Sequence, residues 1–145
     1  MPVPPFNTQG ELSEGIHQAT MDEVIARFGT GTPQRQLLAL SVLRIYALVS
    51  ATGQLERFII FGSDVTATAN PHDVDVFLVM GEAFHVDEVS GDTRLIFSHA
   101  QAQIRLRASV FWATRSASMT NLEDLVVGWH TKRDQTRRGI VEVII

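Results

Sequence analysis

A chain of 145 residues that is 45% apolar and 19% charged is long enough to bury a core of its own and too apolar to stay disordered. Its net charge of −4 excludes a broad electrostatic grip on DNA or RNA, and the absence of cysteine excludes a disulfide framework and a thiolate metal centre. No apolar run approaches the roughly 18 residues of a membrane span, and the opening Met1-Pro2-Val3-Pro4-Pro5-Phe6 lacks a signal-peptide profile. The expectation is one cytoplasmic domain over residues 1–145 with no membrane contact.

Pro2, Pro4, Pro5, Gly10 and Gly15 punctuate the first 19 residues too heavily for a helix, so an extended N-terminal arm over 1–19 is expected. Thr20-Met21-Asp22-Glu23 has the form of a capping box, and the helix it opens ends at Gly29 after Val24, Ile25 and Phe28. Pro33 at a first helical position starts a second helix that runs towards Gly53. Leu37, Leu40, Leu43, Ala47 and Leu48 recur at three- and four-residue spacing as its core stripe, widened by Leu38, Val42, Ile45 and Val49. Burial on more than one side explains that width; a partner-binding face is the alternative.

Phe58 to Phe61 and Val74 to Met80 are short β-branched and aromatic runs, each reading as a buried strand. After Met80 comes a polar turn region, and then a helix from about Thr93 to Gln101. Residues Ile104 to Ala113 alternate as a third strand. Thr120-Asn121-Leu122-Glu123 forms a further capping box, with a helical stripe to about His130. Lys132, Arg133, Arg137 and Arg138 read as a solvated loop, with phosphate contact as the rival reading. The tail from Gly139 to Ile145 is β-rich, and is expected to add an edge strand, pack on the sheet or meet a second copy. The fold class that follows is α/β (α+β), a small mixed sheet with helices packed against it.

The chemistry concentrates between the first two strands. In a strand, residues two apart share a face, so Asp73 and Asp75 project together. At a separation of roughly 6 Å and an effective dielectric of about 20, their repulsion is on the order of 3 kcal/mol, which raises a pKa or demands a cation. Gly62 permits a tight turn, and successive amides with the Ser63 hydroxyl suit phosphate oxygens. The bland alternative has Asp73 capping a turn at Asn70-Pro71 and Asp75 as a solvated strand residue.

An apolar residue, Gly62-Ser63, nine intervening residues and Asp73-Val74-Asp75 resemble the signature of the polymerase-beta-like nucleotidyltransferase superfamily. The resemblance implies Gly62 and Ser63 as the nucleotide-binding pair, and Asp73 and Asp75 as Mg²⁺ ligands and catalytic acids. Related enzymes carry a third carboxylate on the neighbouring strand, where this chain has Ser109. Pro4-Pro5-Phe6-Asn7, Gly10 to His17, Ala19-Thr20, Arg27-Phe28-Gly29 and the stretch from Thr131 to Val143 resemble an uncharacterised family of small nucleotidyltransferase-related proteins. That resemblance covers nearly the whole chain and implies no defined activity.

The function expected is Mg²⁺-dependent nucleotidyl transfer from a nucleoside triphosphate, weakened by Ser109 at the third acid position. The alternative is a catalytically inactive nucleotide-binding or protein-interaction module with a protein partner, for example a toxin–antitoxin component.

Overall fold

The runs rich in Val, Ile and Phe pair into one five-stranded mixed sheet in the computed structural model, which describes residues 3–117 and 139–145. The strands are β1 (Ile16–Ala19), β2 (Leu55–Phe61), β3 (Val74–Met80), β4 (Ala108–Thr114) and β5 (Ile140–Val143), in the spatial order β1-β5-β2-β3-β4. β2 runs antiparallel to both β3 and β5, whereas the β3–β4 and β1–β5 pairs are parallel. Parallel neighbours require a crossover. Between β3 and β4 it is made by α3 (Gly91–Ile96) and α4 (His99–Leu106); α1 (Met21–Phe28) and α2 (Pro33–Ser50) precede β2. Among the described residues no helix is long and apolar enough to cross a membrane.

The alternation of β3 sorts its two faces. Val74, Val76, Leu78 and Met80 are fully buried, and pack with Phe58 and Ile60 of β2, Val141 and Val143 of β5, Val110 of β4 and the helices. The other face carries Asp75 and then a smaller apolar cluster of Ile59, Phe77, Val79 and Ile140. Arg57 and Glu142 join β2 to β5 by a two-pronged ion pair, at 2.8 and 2.7 Å.

Four expectations are refined or changed. The extended arm ends in a paired strand, since Ile16–Ala19 forms the edge strand β1, and Glu11 makes an isolated bridge to Thr66. The tail is an inner strand rather than an edge, since Val141 and Val143 are core residues lying between β1 and β2. The α2 stripe is rotated: Arg35, Leu38, Ala39, Val42, Ile45 and Val49 face inward, whereas Leu37, Leu40 and Leu43 are exposed. Apolar residues on nearly every side of this helix leave periodicity unable to orient it.

The fourth change is in the crossover, where Ser98 interrupts the expected single helix by capping α4 through the Gln101 amide. Helix continues to Leu106, and Arg107 leaves it at φ +50°, so β4 begins at Ala108 rather than Ile104. The capping box at Thr20 and the helix start at Pro33 stand as read: the Thr20 hydroxyl accepts from the Glu23 amide, the Glu23 carboxylate accepts from the Thr20 amide, and Thr32 caps α2 with Pro33 at its first position. The expected helix from Thr120 and the run from Lys132 to Arg138 lie outside the described residues.

Candidate active site

Three strand ends meet at one rim. Phe61 at the end of β2 lies opposite Asp75, which lies opposite Ser109 in β4, so side chains at these three positions share a face. Beyond Phe61 the chain enters a short 3-10 turn, Gly62–Val65, with Gly62 at φ +80°. A Cβ on Gly62 would sit 2.1 Å from Oδ2 of Asp75. The bare Cα of Gly62 is therefore what lets the Asp75 carboxylate lie against the backbone of the turn, and any side chain there would be strained at this φ and would push the carboxylate aside.

Asp73 sits one residue before β3. Its Oδ2 accepts from the Ser109 hydroxyl at 3.0 Å and from the Gln103 amide at 3.2 Å, and the same Gln103 amide also donates to Ser109. These bonds, and not the amides of the Asn70-Pro71 turn, orient the carboxylate. Asp73, Asp75 and Ser109 are thus brought together, with Gly62 directly against Asp75. Ser63 is half-buried in the turn, and its carbonyl accepts from the Thr66 amide and hydroxyl at 3.1 and 2.7 Å.

Sequence reasoning missed three residues. Arg35 projects from α2 into the base of the loop, where its guanidinium donates to the carbonyls of Phe28, Asp64, Thr66 and Thr68 at 2.5 to 3.1 Å. Its Nη1 also stands 3.9 Å from the Asp64 carboxylate, and both side chains are buried. Burial lowers the Arg35 pKa, and Asp64 opposes that shift. Burial likewise pushes the Asp64 carboxyl up to about 6; Arg35 pulls it down, and the charges of Asp75 and Asp73 push it up again. Gln103 is the third, on a helix read too short from the sequence. A basic residue on the apolar stripe of α2 was the available signal for Arg35, hidden by the wrong choice of stripe.

The rim offers oxygen ligands from two carboxylates and a hydroxyl, and the Gln103 amide turns its N–H towards them. Hard oxygen ligands of this kind fit Mg²⁺, which binds through one or two carboxylates and takes its remaining ligands from water and substrate phosphates. Among the described residues no group of three or more His, Asp or Glu side chains comes together to hold a metal.

A family model described as "Family of unknown function (DUF6932)" matches residues 4–144. The chain belongs to that family. No curated protein matches it. Among solved structures, a "putative nucleotidyltransferase" from Sulfolobus solfataricus aligns with 75% of this chain and 96% of its own, at 20% identity and a TM-score of 0.34. That likeness is distant, and the activity in the description is the neighbour's.

Proposed function

We propose that this rim binds a nucleoside triphosphate with Mg²⁺ and carries out slow nucleotidyl transfer. The observation that carries the reading is the Asp75 carboxylate lying on the bare Cα of Gly62, which makes the turn and the acid pair one site. Asp73 and Asp75 would hold the metal, which supplies charge stabilisation at the transferring phosphoryl group. Gly62 permits the tight turn, and its successive amides with the Ser63 hydroxyl would hold phosphate oxygens. Ser109 and Gln103 hold Asp73 in one orientation towards the rim. Arg35 fixes the loop from behind, so that the site forms without large reorganisation.

Calorimetry with the four ribonucleoside triphosphates tests this. Magnesium-dependent binding and a raised melting temperature are expected, since only the folded chain assembles the site. Absence of magnesium-dependent binding at millimolar nucleotide would sink the proposal.

Ser109 favours a second reading, a nucleotide-binding or protein-interaction module without turnover, such as one half of a toxin–antitoxin pair. A serine opposite Asp75 supplies no third carboxylate, and loss of a general base costs about 10²- to 10⁴-fold in rate. Transfer of radioactive nucleotide to the protein or a partner at an ordinary enzymatic rate would exclude that module.

A further inference from the structure

Two residues below Ser109 on the same face of β4 is Phe111, about 6.6 Å along the strand from the rim. It is 44% exposed, whereas Phe77, opposite it on β3, is buried. The Phe61 ring leans towards it across β3, to 6.1 Å between centroids, and the exposed His99 ring at the start of α4 stands 5.7 Å away. The α3–α4 turn and β4 border a cavity of about 640 Å³ lined by Phe77, Phe97, His99, Phe111 and Trp112. An aromatic ring left open to water beside a polar rim forfeits the stabilisation of burial, which stacking with a ligand would restore.

We infer that Phe111 and His99 form a stacking platform for the nucleobase of the bound nucleotide. The inference rests on the nucleotide reading of the rim, and it gives that reading its ring-binding part. The platform and the Asp75–Gly62 contact share one face of the sheet, so a ligand with its phosphates at the rim can lay its base along β4. Stacking accepts any base, because every base presents a π-face. The ligand class is therefore nucleoside triphosphates with weak discrimination between bases.

The test compares Mg·ATP with Mg·tripolyphosphate, which has the phosphates and no base. Phe111→Leu keeps an apolar side chain of similar bulk and removes the ring; His99→Gln removes the second ring. Each variant is expected to weaken Mg·ATP binding, by roughly 5- to 100-fold for Phe111→Leu, while leaving Mg·tripolyphosphate binding unchanged. Unchanged ATP affinity in Phe111→Leu would overturn the platform and leave the nucleotide site standing. An equal loss for both ligands would also overturn it, by showing that the substitution disturbs the rim. A wild-type protein that binds neither would overturn the platform together with the nucleotide site.

Discussion

Asp64 and the Asp73/Asp75 pair are close enough for each to feel the other's charge, yet they are held in opposite ways. Asp64 is buried, faces a guanidinium, and belongs to a clamp whose Arg35 closes four backbone carbonyls. Asp73 is held by neutral dipoles from Ser109 and Gln103, and Asp75 lies against a glycine backbone at the rim. A carboxylate countered by a buried cation has its charge spent inside the protein. A carboxylate held by a hydroxyl and an amide, as Asp73 is, meets neutral dipoles in those two bonds instead of a buried cation. The difference separates a group that builds the loop from a pair that, on the proposed reading, the loop presents.

The largest effect is expected from removing the cation. Arg35→Met leaves Asp64 without its counter-charge and strips the donor from the loop carbonyls, so a loss of about 3–5 kcal/mol is expected in denaturant unfolding. Arg44 makes an ion pair with Asp92 in which both side chains are more than half exposed. Arg44→Met should therefore cost under about 1 kcal/mol in the same assay. Equal losses would erase the distinction between a structural clamp and a surface pair.

Protonation gives the next effect. Because the folded-state pKa of Asp64 is raised to about 6, the native chain keeps a proton that the unfolded chain releases near pH 4. The contribution to stability is full below about pH 4, falls as pH rises to about 6 and is level above. At about 1.4 kcal/mol for each pKa unit, the fall is at most about 3 kcal/mol. Unfolding titrations of wild type and Asp64→Asn over pH 4 to 7 should differ by this slope. Parallel curves would show that Asp64 is ionised at no cost.

How much of this was legible follows the same division. Asp73 and Asp75 could be paired with Gly62 and Ser63 because a strand's two-residue period and a short loop make their meeting a matter of local geometry, whereas Ser109, whose bond to Asp73 spans 36 positions, was picked out only through the resemblance to the nucleotidyltransferase signature. The core face of β3 was readable for the same reason. Arg35 and Asp64 were not, because their contact spans 29 positions and α2 has too many apolar residues to show which side is inward. The break at Ser98 was hidden by a mixed pattern, and Gln103 was hidden with it. The tail read as strand, but its place between β1 and β2 depends on long-range pairing that no local pattern carries.

Glycine substitutions sharpen the picture on the rim side with a smaller expected cost. Gly53 and Gly62 both have positive φ, at +72° and +80°, but a Cβ on Gly53 meets nothing within 4 Å. Gly53→Ala should show backbone strain alone, on the order of 1 kcal/mol, whereas Gly62→Ala adds displacement of Asp75. A thermal unfolding comparison should find Gly62→Ala the less stable of the two, and the less able to bind Mg·nucleotide. Equal behaviour would mean that Asp75 has room to move and that its contact with the turn is incidental.

The most direct test of a ligand-facing acid pair is to neutralise it and read stability and binding together. Asp73→Asn and Asp75→Asn relieve the repulsion between the two carboxylates while nearly preserving shape. Each variant should keep or raise the metal-free melting temperature, and lose magnesium-dependent binding of nucleoside triphosphate in calorimetry. Metal-free destabilisation by several kcal/mol, or nucleotide binding that survives both substitutions, would contradict the account and place the pair among the protein's structural groups.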